Sequence, residues 1–304
     1  MERILVIRMS AFGDVIHALP AVMALRRGYP RARLSWLLRP EWKPLLEGNP
    51  AVDEVVEAPR RSLRLLAALR RARFDLVVDF QGLLQSAVLG RAAAGACFGF
   101  AAPRERLAAL LYRTRVRAEA GHIVERNLEL AYAAGGKKGE LAFPLPPGSP
   151  EGRLPDRFVL ACPLAGWGSK QWPLERFSAL ADRLAAAGVP LVVNGPPGAA
   201  ARLAEVRGAV AHCSGIPGLV NATRRAAAVV GVDSGPLHLA AALGKPGVAI
   251  YGPTDPARNG PYGGTIRVLR APGAPTTYRR QAEPGESMRA IGVEEVWAVL
   301  RPLL

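Results

Sequence analysis

Short apolar runs alternate with amphipathic stretches from the first residues onward. Residues 3–9 (RILVIRM) are almost continuously apolar, as in a strand buried on both faces. Ser10-Ala11-Phe12-Gly13 reads as a turn. From Asp14 to Arg27 apolar residues recur at helical spacing, closed by Gly28 and Pro30. The pattern then predicts strands over 34–38 and 52–56, a helix over 62–73 and a buried strand over 74–80 (FDLVVDF). Such alternation is the mark of a doubly wound parallel sheet. Between 137 and 155 the chain turns rich in proline and glycine and reads as a linker. The pattern restarts beyond it. Strands are expected over 158–162, 190–194, 226–232 and 248–251, and helices over 173–187, 236–243 and 293–303. The expected architecture is α/β: two Rossmann-like domains, over 1–150 and 156–289, with an interdomain cleft of the kind that commonly binds ligands.

Composition agrees with two layered cores, since half of the 304 residues are hydrophobic. The net charge of +15 adds a question, and arginine far outnumbers lysine. Either the arginines are an ordinary solvated surface, or they meet an anionic partner such as a phosphosugar, an anionic lipid or nucleic acid. Cys97, Cys162 and Cys213 are widely separated and form no CxxC pair, so neither a zinc site nor a disulfide framework is indicated. The N-terminus runs straight into a strand without a signal-peptide pattern, and no apolar run reaches membrane-spanning length. A cytoplasmic protein is expected.

Four segments carry candidate chemistry. Gly13-Asp14 lies at the C-terminal edge of the first strand, where open α/β sheets bind ligands. Asp14 suits a helix N-cap, and it equally suits a general base. No GxGxxG fingerprint accompanies it, which argues against a dinucleotide site. The second segment is GVDSGPLHLAAALGKPGVAIYGPTDP, residues 231–256. A strand ends at Asp233, Ser234-Gly235 turns the chain, and Pro236 opens a short helix. Free N–H groups and the helix dipole at such a start suit a phosphate, Gly235 permits close backbone approach, and His238 can donate to a phosphate oxygen. Each residue has an ordinary reading too, with Asp233 or Ser234 as caps, Gly244 as the helix stop and His238 satisfied in the interior.

The third segment, Ala165-Gly166-Trp167-Gly168-Ser169-Lys170-Gln171-Trp172-Pro173, follows the first strand of the second domain. Its small residues, hydroxyl and Lys170 can cradle and neutralise a phosphate, though it lacks the P-loop order. Alternatively it is a surface turn anchored by Trp172. The fourth is 60–73. At helical spacing Arg60, Arg61, Arg64 and Arg71 share one face opposite Leu65, Leu66 and Leu69, and no acidic residue interrupts them. That face is either a plain surface or a binding site for an anionic acceptor.

Together and in this order, the segments resemble the bacterial lipopolysaccharide heptosyltransferases, glycosyltransferase family 9. The resemblance runs from Ile4 to about Arg270. It rests on GDVIHALPA at 13–21, DFQGLLQSA at 79–87, HIVERNLEL at 122–130, SKQWP at 169–173, and VDSGPLHLAAALGKP with YGPTDP. It implies a GT-B fold with the acceptor on the N-terminal domain, the donor on the C-terminal domain, and a final helix, about 290–304, that packs back on the first domain. It implies an inverting, metal-independent transfer, without a cofactor, from ADP-L-glycero-β-D-manno-heptose to Kdo on a lipid A type acceptor. A peripheral place on the inner face of the inner membrane, against an anionic surface, goes with it.

By position, the resemblance makes Asp14 the base. Gly166, Lys170, Asp233, Ser234, Gly235 and His238 become donor-binding residues, and Arg60, Arg61, Arg64 and Arg113 acceptor-binding residues. Two departures stand out. Ala165-Gly166 replace the paired threonines expected ahead of the Lys, so backbone N–H groups take the place of hydroxyls. Ala199-Ala200-Ala201 occupy the region where an acidic residue is expected to hold the ribose. A nucleotide-sugar epimerase is disfavoured because a dinucleotide fingerprint and a Tyr-x-x-x-Lys pair are missing. A nucleic-acid-binding module would account for the charge but leave the paired α/β motifs unused.

Overall fold

The computed structural model describes residues 1–59, 63–93 and 95–304. The chain divides into two compact units, Met1–Pro146 and Pro147–Leu304. The division falls inside the proline- and glycine-rich segment. Each half of that segment is tied to its own unit. Asn49 donates to the Pro144 carbonyl at 2.9 Å, and the Glu151 carboxylate accepts from the Gly215 and Gly218 N–H groups at 2.7 and 2.9 Å.

The first unit is one parallel sheet. Its strands are β1 (Arg3–Ile7), β2 (Arg33–Leu38), β3 (Glu54–Glu57), β4 (Leu76–Asp79), β5 (Ala96–Phe100) and β6 (Thr114–Val116), in the order β3-β2-β1-β4-β5-β6. Helices α1 (Phe12–Gly28), α2 (Leu63–Ala72), α3 (Leu84–Ala92) and α4 (Ile123–Ala133) cover it. The central strands β1 and β4 are buried along nearly their whole length, which is why they read as unbroken apolar runs. Leu5, Ile7, Leu37 and Val77 pack with Leu69 and Phe74 in the core below α2 and α3.

The second unit repeats the plan. Its strands are β7 (Val159–Cys162), β8 (Leu191–Gly195), β9 (Val210–Cys213), β10 (Ala228–Val232), β11 (Gly247–Tyr251) and β12 (Ile266–Arg270), in the order β12-β11-β10-β7-β8-β9. Its helices are α5 (Leu174–Ala186), α6 (Ala200–Ala204), α7 (Ile216–Arg225), α8 (Gly235–Ala242), α9 (Pro256–Asn259), α10 (Glu286–Arg289) and α11 (Val293–Leu300). Trp172 and Phe177 meet edge to face in its core, with ring centroids 4.9 Å apart, and the Trp172 indole donates to the Ile291 carbonyl at 3.0 Å. The expected helix stop at Gly244 is present, with the positive φ of +67° that glycine adopts without strain. The final helix α11 belongs to the second unit. Val296 and Leu300 are buried in the second unit's own core, and α11 packs on α5 and β11. The apolar stripe of so short a helix is satisfied by the nearest open flank of its own sheet.

Each sheet has a point where the strand order reverses: between β1 and β4 in the first unit, and between β7 and β10 in the second. Loops leaving neighbouring strands in opposite directions open a crevice there, and ligands of doubly wound sheets bind in it. In the first unit this edge is held by Asp79. Its buried carboxylate accepts from the Gln81 and Gly82 N–H groups at 2.8 and 3.2 Å, and from Ser86 and Tyr112 hydroxyls at 2.7 and 2.8 Å. Burial pushes this carboxyl above its ordinary range, and the four hydrogen bonds pull it back only in part. The Tyr112 ring lies where any side chain at Gly99 would stand, so Gly99 lets the phenol reach Asp79. Asp79→Ala strips partners from buried donors and is expected to cost about 3 kcal/mol or more. Asp79→Asn should cost clearly less, because hydroxyls can turn to accept from the amide. Chemical denaturation midpoints of the two variants check this ordering.

Candidate functional site

In the second unit the switch point gathers side chains from three loops. Asp233 follows β10 and is buried. Lys170, in the turn after β7, places Nζ 2.5 Å from Asp233 Oδ2. Thr254, in the turn after the neighbouring β11, donates its hydroxyl to the same oxygen at 2.6 Å. His238, in the first turn of α8, sets Nε2 3.6 Å from Oδ1, an electrostatic contact beyond hydrogen-bond length. Burial by itself would raise the Asp233 carboxyl. The His238 imidazole and the Lys170 ammonium outweigh it and hold the carboxyl well below the usual carboxylate range. The aspartate is thus a fixed negative charge that aims a lysine and a histidine at the sheet edge.

The start of α8 is more restrained than the sequence suggests. Ser234 stands at the N-cap with extended backbone, but its side chain caps nothing. The Leu237 N–H already donates to the Ser234 carbonyl at 3.1 Å, and Pro236 has no N–H. Among the described residues, the Gly235 N–H is the donor of this first turn left for an anion. Gly166, on the turn after β7, is exposed, with open space beside it.

That turn carries a cation that sequence reading missed. The Trp167 indole holds Lys170 Nζ 4.2 Å from its ring centroid and the Arg280 guanidinium at 5.4 Å. Arg280 belongs to a loop bound to the same turn. Ser169 N–H donates to the Gln281 carbonyl at 3.1 Å, and Thr277 N–H to the Pro253 carbonyl at 2.7 Å. Arg270, at the end of β12, ties the loop further through Gly252, Ala274 and Thr276. Gly168 is required for this closure, since a Cβ there would stand 1.6 Å from the Ala282 carbonyl oxygen. Gly168→Ala is expected to lift the loop, raising the rate of limited proteolysis near Arg279 and Arg280 while leaving the melting temperature within a few degrees.

In the first unit Asp14 sits in the first turn of α1, with its side chain 34% exposed. Its carboxylate makes two contacts, one at the helix start and one with a neighbouring arginine. Its Oδ2 accepts from the Ala11 N–H at 3.2 Å, as a residue at the third helical position of a capping box does. The same oxygen meets Arg8 Nη2 at 2.7 Å. Arg8 is nearly buried at the end of β1, where its other nitrogen donates to the Phe80 carbonyl. Gln81, after β4, accepts from the Met9 and Ser10 N–H groups at 2.9 and 3.1 Å and closes the loop beneath Asp14. The sequence held a signal for Arg8: a lone cation ending an otherwise apolar strand.

The structure brings Lys170, Asp233 and His238 together, with Ser234 and Gly235 beside them. Arg64 on α2 and Arg113 before β6 are both exposed. No hydrogen bond or ion pair among the described residues joins either to Asp14. Arg60 and Arg61 lie outside the described residues. Thr254, Trp167, Arg280 and Arg8 were not expected. Thr254 had a visible signal, since a Gly-Pro-Thr turn must follow the strand beside the one that ends at Asp233.

Two doubly wound parallel sheets in one chain, the second with a lysine–aspartate–histidine cluster at its switch point, define a glycosyltransferase of GT-B-like fold. Solved structures agree. One of Escherichia coli heptosyltransferase WaaC with ADP matches with a TM-score of 0.80 at 26% identity, covering 99% of this chain and 100% of that one. Another, with ADP-2-deoxy-2-fluoro heptose, gives 0.77 at 27% identity over 99% and 100%. Lipopolysaccharide heptosyltransferase 1 of Pseudomonas aeruginosa is 32% identical over 86% of this chain and 81% of its own length. The family model for glycosyltransferase family 9 (heptosyltransferase) matches residues 62–286, and the chain belongs to that family.

Proposed function

We propose that the protein transfers L-glycero-D-manno-heptose from ADP-heptose to Kdo of the lipopolysaccharide inner core, with inversion and without a metal. The observation that carries this reading is the Lys170–Asp233–His238–Thr254 cluster, which presents fixed positive groups at a sheet edge suited to a diphosphate. Its support is the likeness to a structure named for its ADP-heptose analogue.

In this mechanism Asp14 accepts the proton of an acceptor hydroxyl as that oxygen attacks the anomeric carbon from the face opposite the diphosphate. The bond to the departing phosphate oxygen breaks, and the new glycosidic bond forms with inverted configuration. Charge developing on the ADP is met by Lys170, His238 and the Gly235 N–H, with Gly166 leaving backbone open to the ligand. Arg280, on the same indole as Lys170, adds a second fixed cation. Arg60, Arg61, Arg64 and Arg113 are assigned to the anionic acceptor. The nucleoside end has a different basis from that expected, because Ala199, at the N-cap of α6, and Ala200 and Ala201, within it, bring no acidic side chain to the ribose.

That last observation favours a second reading: a family 9 transferase using another nucleotide sugar or anionic glycan acceptor. One experiment separates the two. Purified enzyme with ADP-heptose and a Kdo-lipid acceptor should give a product heavier by one heptose in mass spectrometry. Transfer from another nucleotide sugar in a donor panel, with none from ADP-heptose, would select the second reading. A cytoplasmic enzyme working on a lipid-borne acceptor would sit peripherally on the membrane. Among the described residues no helix is long and apolar enough to cross one.

A further inference from the structure

The first unit exposes large apolar side chains where a solvated surface would hide them. The short 3₁₀ helix over Arg106–Leu111 buries Ala108 and Ala109 but leaves Leu107 62% and Leu110 67% exposed. Residues three apart eclipse in such a helix, so the two leucines share a face. Beside it, packed on the same turn, α3 exposes Leu84 and Val88 four residues apart, on one stripe that Arg91 continues. Where α3 faces α2, an open groove of about 580 Å³ is lined by Leu66, Arg70, Arg73, Val88, Arg91 and Leu111.

The charge around this face is predominantly positive. From Ala58 to Ala118 the sequence holds twelve arginines, no lysine and three acidic residues. All three acids are engaged. Asp79 is buried, Asp75 accepts from the Glu2 and Arg3 N–H groups, and Glu105 accepts from the Leu84 N–H. Protruding leucines beside a groove lined by Arg70, Arg73 and Arg91 suit a partner that offers apolar depth and negative charge together. A bilayer of anionic phospholipids offers both, with phosphates at the height of the guanidinium groups and acyl chains below them.

We propose that this face docks the protein on an anionic phospholipid bilayer. Leu107 and Leu110 enter the boundary of the acyl chains, and Arg70, Arg73 and Arg91 pair with lipid phosphates. The inference builds on the peripheral position proposed above, and its test needs neither sugar donor nor acceptor. The full chain is sedimented with vesicles of phosphatidylcholine alone or mixed with phosphatidylglycerol. Wild type should bind the mixed vesicles and leave them at high salt. Leu107→Asp with Leu110→Asp should weaken that binding by about tenfold or more, through lost apolar burial together with repulsion between the new carboxylates and the lipid phosphates. Arg70→Ala with Arg91→Ala should weaken it to about the same degree. Circular dichroism melts establish that each variant folds, and serine replaces aspartate in the leucine pair if it does not.

Equal binding to pure phosphatidylcholine, or unchanged binding in both variants, would overturn the proposal. So would a concentration-dependent dimer abolished by the leucine variant without vesicle binding, which would assign the face to a second copy of the chain. Sugar transfer to a detergent-dispersed acceptor, measured in the same variants, should persist, so a failed docking surface and a failed transferase reading give different results.

Discussion

Asp14→Asn is expected to lower turnover by about 10²–10⁴-fold, the usual contribution of a positioned general base, while leaving ADP affinity unchanged. Asparagine is the informative replacement because Asp14 has two roles in the structure. Its carboxylate closes the N-terminus of α1 through the Ala11 N–H, and it partners the nearly buried Arg8. Alanine would remove both and confound chemistry with folding. Loss of the cap costs about 0.5–2 kcal/mol, and an orphaned guanidinium at the end of β1 would add to it. Asparagine keeps an oxygen for the N–H and for Arg8, but it cannot take a proton from a hydroxyl. If Asp14 were only a cap, Asp14→Asn would restore near-normal turnover and only Asp14→Ala would be impaired. Steady-state rates for both variants, with ADP titrations by calorimetry, decide between these outcomes.

The central strands were legible in the sequence because parallel strands buried on both faces must be apolar throughout. β1, β4, β7, β10 and β11 are of this kind. The edge strand β9 was not legible. It shows one buried residue in four, so its pattern carries almost no apolar signal. β12 was missed for the same reason, since only Ile266 is buried along it. The site shows a similar gradient. Residues placed by local rules, such as Asp14 at a helix start and Asp233 and His238 around a strand–helix turn, were legible one by one. The partners that define them were less so. Arg8 and Thr254 reach their aspartates through sheet adjacency, and Arg280 reaches Trp167 only because a loop folds back on the Lys170 turn. Ser234 misled in the opposite direction: residue type and position both suited a capping side chain, and none forms.

Lys170→Met should have the largest effect on the second unit, and it should be felt twice. Asp233 is held ionised while only 6% of its side chain is exposed, and Lys170 is 16% exposed. Removing the lysine leaves a buried carboxylate with a hydroxyl and an imidazole for company. Breaking a pair so placed costs about 3–5 kcal/mol. A charge-assisted contact to phosphate is worth about 1.5–3 kcal/mol, so ADP affinity should fall by about 10–100-fold. The two losses separate in the double variant Lys170→Met with Asp233→Leu. Replacing both charges by apolar groups should return most of the stability while ADP binding stays weak. Recovery of both together would mean that the lysine served only the fold. The pH dependence gives an independent check. In wild type the folded Asp233 carboxyl is depressed, so its stabilisation is full above the ordinary carboxylate value and is lost as pH falls below it towards the folded one. In Lys170→Met burial acts with less opposition and the folded carboxyl moves upward, so acid relieves the variant as it weakens the wild type. The gap between their melting temperatures should therefore be widest near neutrality and narrow on acidification. A gap independent of pH would show that the lysine's contribution is not electrostatic.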